Sequence, residues 1–148
     1  MSRLVVTLSL LLLLVTGCLV TGCTVSQPGP ADWRDQARQT LDDVSSEVAT
    51  ARLVLGQLDA GKVPSSYGVT MAADAEEAAS KAEEKLSSLQ APASLGGLPD
   101  KVLSLIGRAT EAVQQAREAV VDERYDVPHL RRELGRLHAA LDRRKAAL

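Results

Sequence analysis

The apolar residues of this chain recur at alternating steps of four and three positions, the spacing of one face of an α-helix. The first series predicts a long helix that starts near Ala31, just after Pro30, and stops at Gly61. Its seam residues are Ala37, Leu41, Val44, Val48, Ala51, Leu55 and Leu58. This heptad spacing predicts near-parallel packing against neighbouring helices.

A second series has the same spacing but consists mostly of alanine: Ala72, Ala75, Ala79, Ala82, Leu86 and Leu89. Alanine lets neighbouring helices approach closely, but each alanine forgoes about 2 kcal/mol of burial relative to leucine. We therefore expect the second helix to be held least tightly.

Two further series complete the pattern. The third contains Leu98, Val102, Leu105, Ala109, Ala112, Ala116 and Ala119, widened by Ile106, Val113 and Val120. The fourth contains Val127, Leu130, Leu134, Leu137, Leu141 and Leu148. Asp126 is a candidate N-cap for the fourth helix, with Pro128 in its first turn.

The connections between these series are short, so successive helices should be antiparallel neighbours. Phe is absent and only three residues are aromatic, which disfavours a core built from strands. The sequence therefore predicts an all-α, up-down-up-down four-helix bundle. An extended pair of antiparallel coiled coils is the alternative.

The N-terminal segment has the three-part form of a secretory signal peptide. Arg3 precedes an apolar run from Leu4 to Val15, and the pentapeptide Leu-Val-Thr-Gly-Cys then occurs twice, ending at Cys18 and Cys23. Each Val-Thr-Gly-Cys resembles the lipobox of bacterial lipoproteins, with Val where family members most often have Leu. The resemblance implies cleavage before the cysteine, a diacylglyceryl group on its sulfur, and a location on the extracytoplasmic face of the cell membrane.

Cleavage before Cys23 is favoured over Cys18, because Cys23 is followed by a polar, Pro- and Gly-containing linker. The predicted organisation is a signal peptide at 1–22, a lipidated cysteine and linker at 23–30, and the bundle at 31–148. A disulfide between the cysteines, an uncleaved anchor or a plain secretory signal are the other possibilities. The bias towards Ala, Arg and Val over Lys, Ile and Phe is similar to that of actinobacterial proteins.

Charge gives no support to nucleic-acid binding. Of the 17 basic residues only Arg3 falls in the predicted signal peptide, so 16 remain against 19 acidic residues. The fourth helix is nevertheless basic, and we expect it to pair with acidic neighbours in the bundle. Alternatively Arg143, Arg144 and Lys145 contact anionic headgroups, because the topology places them with Trp33 at the tethered end.

No catalytic or metal-binding pattern is predicted. His129 and His138 lie nine residues apart on opposite sides of one helix, so they cannot share an ion and are interpreted as solvated surface residues. No residues have a reason to converge as a Ser-His-Asp triad, and no cofactor is expected.

The end of the bundle far from the tether carries Tyr67 and Tyr125. These tyrosines either close the core or form a partner-binding surface. The sequence thus predicts a membrane-anchored, non-enzymatic binding or scaffolding protein whose partners are the membrane and an envelope protein. The alternative is a sensor or accessory bundle that holds a small molecule between its helices.

Overall fold

The structure, a computed structural model, describes residues 28–148. These residues form four α-helices, α1 (Pro30–Asp59), α2 (Ser65–Ser87), α3 (Leu98–Val121) and α4 (Pro128–Ala146), with a short 3-10 helix at Ala93–Leu95. No strand occurs in this part of the chain, and the predicted all-α four-helix bundle is confirmed. The predicted signal peptide and both cysteines lie outside the described residues.

Helix α1 is the central element of the bundle. It packs against α2, α3 and α4, whereas α2 and α4 lie on opposite sides of the α1–α3 pair and barely meet. All seven predicted seam residues of α1 are buried. Trp33 belongs to the same core, with a side chain only 1% exposed, so it is not available for contact with a bilayer.

Two of the helices end in the same hydrogen-bonded turn. After α1, the amide of Lys62 donates to the carbonyl of Gln57 and that of Gly61 donates to Leu58, with Gly61 at a φ of 61°. After α3 the equivalent position is occupied by Glu123, at a φ of 56°. A glutamate in this left-handed region carries a steric cost that glycine avoids.

The N-terminus of α4 differs from its prediction. Val127 is the residue before the first turn, and no side chain caps the helix. Asp126 is therefore not the N-cap, and that prediction was wrong. An N-cap at Asp126 would start the helix at Val127. The helix instead starts one residue later, with Pro128 in the first helical position.

Helix α2 begins at Ser65, about two turns before its alanine series, and these turns contain a close approach between α1 and α2. Gly68 is buried there against Leu58. A Cβ on Gly68 would lie 2.6 Å from Leu58 Cδ1, which is shorter than any ordinary carbon contact. Only glycine therefore fits this position without moving a core leucine.

Gly68→Ala should lower the free energy of unfolding by about 1 kcal/mol, because overpacking against Leu58 outweighs the gain in helix propensity. Gly107→Ala on α3 is the matched control. Its nearest neighbour would be the flexible end of Glu83, at 3.3 Å, so it should stabilise the protein slightly. Urea unfolding followed by circular dichroism measures both, and equal effects of the two substitutions would contradict the close-contact explanation.

Candidate functional site

The interface between α1 and α4 is held by polar contacts along its length. Arg131 forms an ion pair with Asp59 at 3.0 Å near the end of the bundle where α4 begins. Towards the opposite end, the Lys145 Nζ donates to Asp42 Oδ1 at 2.5 Å. This hydrogen bond, together with the nearby carboxylate charges of Asp42 and Asp142, raises the pKa of Lys145 above its usual value.

Between these two contacts lies a cluster formed by Ser45, His138 and Asp142. Ser45 Oγ is 2.7 Å from His138 Nδ1 and donates to Asp142 Oδ1 at 2.9 Å. His138 Nδ1 is also 3.2 Å from the Ser45 carbonyl oxygen, and His138 Nε2 is 3.6 Å from Asp142 Oδ2. One serine of α1 is thus joined to two side chains of α4.

The hydrogen-bond roles in this cluster differ from those of a hydrolytic triad. A carbonyl oxygen can only accept, so we assign a proton to His138 Nδ1. This nitrogen therefore cannot take a proton from the serine, whose hydroxyl donates directly to the carboxylate. Ser45 is only 3% exposed, whereas the side chains of His138 and Asp142 are partly exposed, and the geometry is that of a hydrogen-bonded link between two helices.

This cluster corrects two interpretations drawn from the sequence. His138 is partly exposed but is also hydrogen-bonded across the α1–α4 interface, so it is more than the solvated surface residue that the sequence suggested. A Ser-His-Asp grouping does converge, although not in catalytic form. His129, by contrast, is an exposed side chain, 79% accessible, whose nearest carboxylate is Glu133 at 3.9 Å.

An open groove of about 1230 Å³ runs along the outer side of the α1–α4 interface. Its middle is lined by small residues, Ala49 and Gly56 from α1 and Gly135 and Ala139 from α4. Leu53 lies among them with 61% of its surface exposed. We call this surface, which extends from Pro128 at the start of α4 past His138 to Arg143, the α1–α4 groove.

The charged lining of the α1–α4 groove is one-sided. It contains five arginines and, among the described residues, no carboxylate: Arg52, Arg131, Arg132, Arg136 and Arg143. Of these five arginines, only Arg131 forms an ion pair with another of the described residues. The sequence prediction that α4 pairs with acidic neighbours therefore holds for Arg131 and Lys145 but not for the other groove arginines.

The residues considered for membrane contact occupy three different environments. Arg143 is exposed at one end of the α1–α4 groove, and Arg144 is half-buried. Lys145 is engaged with Asp42. They share the last turn of α4 but do not form one free basic surface.

The two tyrosines at the other end of the bundle, Tyr67 and Tyr125, also differ in their exposure to solvent. Tyr67 is 55% exposed near the start of α2, whereas Tyr125 is half-buried and packs against the core. Closing the core is thus the role of Tyr125, while only Tyr67 presents most of its surface to solvent. Val69 and Val121 are further exposed apolar residues at this end of the bundle.

A second and smaller groove lies between α1 and α2. It has a volume of about 540 Å³ and is lined by both signs of charge, including Asp43, Glu47, Lys81 and Lys85. Burial raises the pKa of Glu47, and the negative charge of Asp43 one helical turn away raises it further. Lys81, which lines the same groove, forms its ion pair with Glu77 of its own helix.

Neither groove has a metal-binding pattern. No group of three or more His, Cys, Asp or Glu side chains in residues 28–148 is arranged to hold an ion. None of the helices in this range combines the length and apolar character that crossing a bilayer requires. Comparisons with protein-family models, with curated proteins and with solved structures found no match for this chain.

Ser45→Ala should lower the free energy of unfolding by about 1 kcal/mol, because it leaves His138 and Asp142 without their shared partner. The neighbouring Ser46→Ala is the control, since Ser46 is exposed and bonds only to its own helix. It should be neutral or slightly stabilising. Chemical denaturation measures both, and identical results would mean that the cluster contributes nothing to stability.

Glu47→Gln should stabilise the protein at neutral pH. The pKa of the Glu47 carboxyl is higher in the folded protein than in the unfolded chain. Below the pKa of the unfolded chain the carboxyl is protonated in both states and does not destabilise the fold. As pH rises through the pKa of the folded protein, the carboxyl ionises and the folded state loses this advantage. The gain from Glu47→Gln should therefore be largest near pH 7 and vanish as pH falls below about 4. Thermal unfolding across pH tests this, with the exposed Glu111→Gln as control; a gain that does not depend on pH would contradict it.

Proposed function

We propose that this protein is a lipid-anchored, non-enzymatic binding protein at the extracytoplasmic face of the cell membrane. The observation that carries the proposal is the doubled Val-Thr-Gly-Cys after an apolar run, which resembles a lipobox and is followed at once by a folded domain. Cleavage before Cys23 leaves a chain whose first residue bears the lipid. A bundle held in this way presents its side surfaces to other envelope components.

The length of the linker supports this arrangement. Helix α1 begins at Pro30, so the chain from Cys23 to the helix extends at most about 25 Å. The start of α1 therefore stays close to the bilayer. Ala49, at the near end of the α1–α4 groove, is displaced along α1 by about 28 Å from Pro30, which puts the groove in reach of a protein partner when the bundle stands upright.

Support for binding comes from the α1–α4 groove itself. It is open along its length and lined by arginine side chains, most of which have no intramolecular partner among the described residues. Arginine forms bidentate hydrogen bonds to carboxylates and is favoured at protein interfaces. The serine that adjoins the groove is buried and its proton is held by Asp142, so the cluster favours a structural role.

Cys23→Ala should abolish incorporation of labelled palmitate when the chain is expressed in a bacterium that lipidates such proteins, because the acceptor sulfur is lost. Cys18→Ala is the matched control and should keep both the label and the membrane location. Mass spectrometry of the mature N-terminus checks the same point. Absence of label from the unaltered chain would refute the proposed anchor, and loss of label in Cys18→Ala alone would move it to Cys18.

A further inference from the structure

We propose that the α1–α4 groove is the docking site for an amphipathic α-helix of a partner protein, with an apolar stripe flanked by Asp and Glu. This inference rests on the proposed binding function and adds the chemical class of the partner. Three properties of the groove carry it: its helical register, its shape and its charge.

The register of the groove matches a third helix. On α1 the groove positions are Ala49, Leu53 and Gly56, and on α4 they include Pro128, Arg132, Gly135 and Ala139. Both sets advance by alternating steps of four and three residues. They form a second, outward heptad series on helices whose first heptad series is buried in the core. An added helix that runs nearly parallel to the pair contacts such positions throughout its length.

The floor of the groove is formed by small residues, two of which are covered by arginine side chains from the facing helix. Gly56 and Gly135 carry no side chain, and Ala49 and Ala139 carry only a methyl group. A Cβ on Gly135 would be 3.4 Å from Arg52 Nη1, and a Cβ on Gly56 would be 3.9 Å from Arg131 Nη1, so an arginine of the opposite helix extends over each glycine. Leu53 is the one large apolar side chain at the centre, and its exposure is unusual for a leucine in this bundle. Leucine side chains of an incoming helix pack on Ala49, Ala139 and Leu53, beside the arginines that extend over the two glycines.

The charge of the groove selects an acidic helix. Arg52 lies on the α1 side, and Arg132 and Arg136 lie on the α4 side, with no ion pair to any described residue. Between positions 49 and 57 α1 offers no carboxylate, so these charges cannot be neutralised across the interface. A groove that combines the exposed Leu53 with unpaired arginines from both helices is complementary to a helix that combines an apolar stripe with carboxylates.

An extended bilayer surface fits these properties less well. The surface is concave along the helix pair, whereas a bilayer presents a broad flat face. The groove also spans about 18 Å between Arg131 and Arg143, the length of roughly three turns of helix. A single partner helix of that length engages both sets of arginines at once.

The test uses the full chain in neutral-lipid nanodiscs and three fluorescent 21-residue peptides. The first has leucine at heptad seam positions flanked by Glu. The second has the same composition with the leucines moved off the seam, and the third has Lys in place of Glu. Anisotropy titrations, corrected with empty nanodiscs, should show binding of the first peptide only. Equal binding of the second peptide, or any preference for the third, would overturn the proposal.

Two variants locate the binding. The triple variant Arg52→Gln, Arg132→Gln, Arg136→Gln should weaken the first peptide about tenfold, because three charge pairs are lost. Its control replaces Arg38, Arg108 and Arg124, whose contacts are all with near neighbours in sequence, by Gln and should change affinity less than twofold. An equal loss in both would mean that only overall charge is sensed, and the groove assignment would fail.

Leu53→Glu provides a test that leaves every arginine in place. It places a carboxylate at the exposed apolar position of the groove, so the melting temperature should stay within about 2 °C while peptide binding is lost. Unchanged peptide binding would overturn the proposal. Groove-dependent binding to anionic vesicles without peptide binding would assign the surface to lipid and overturn it as well. Palmitate labelling tests the anchor separately, so a failure of either proposal can be recognised.

Discussion

The bundle depends on the burial of one heptad seam of α1. All seven seam residues from Ala37 to Leu58 are inaccessible or nearly so, and the same helix supplies Trp33, the largest fully buried side chain. Each of the other helices packs against this seam or beside it. Since the hydrophobic stabilisation of the fold scales with this buried area, the positions of all polar groups on α1 follow from it. Some residues directly beside the seam, such as Thr40 and Ser45, are buried against a neighbouring helix, whereas others, such as Asp43 and Ala49, are exposed.

Ser45 illustrates this consequence. It directly follows the seam residue Val44, which places its hydroxyl at the edge of the core against α4. A buried hydroxyl needs a partner, and α4 provides His138 and Asp142 one helical turn apart. Four residues further along α1 the same edge carries Ala49, and the groove begins there. The Ser45 cluster and the α1–α4 groove therefore lie one after the other along the same edge of α1. Ser45 carries a hydroxyl that bonds to α4, whereas Ala49 carries only a methyl group.

The helices and their order could be predicted from the sequence, because heptad spacing and short connections depend on residues close together in the chain. The contacts between distant segments could not. Ser45 and His138 are 93 residues apart, and only the relative register of α1 and α4 brings them together. The close approach of Gly68 to Leu58 likewise depends on how two helices are aligned along their axes. Periodicity identifies the side of a helix that is buried, but it does not give this alignment.

The unpaired arginines follow from helix order. Helix α2 carries five carboxylates and two lysines, whereas α4 carries six Lys and Arg residues and two carboxylates. Adjacent helices would neutralise each other, but α2 and α4 are separated by the α1–α3 pair. Packed helix axes are 8–10 Å apart, so charges across this pair are separated by more than the Debye length of about 8 Å at physiological ionic strength. The acidic helix therefore cannot compensate the basic one, although the whole chain has a net charge of −2. The adjacent α1 supplies Asp59 and Asp42 to α4, but it has no carboxylate between positions 49 and 57, so the arginines along the middle of the α1–α4 groove remain a cationic surface.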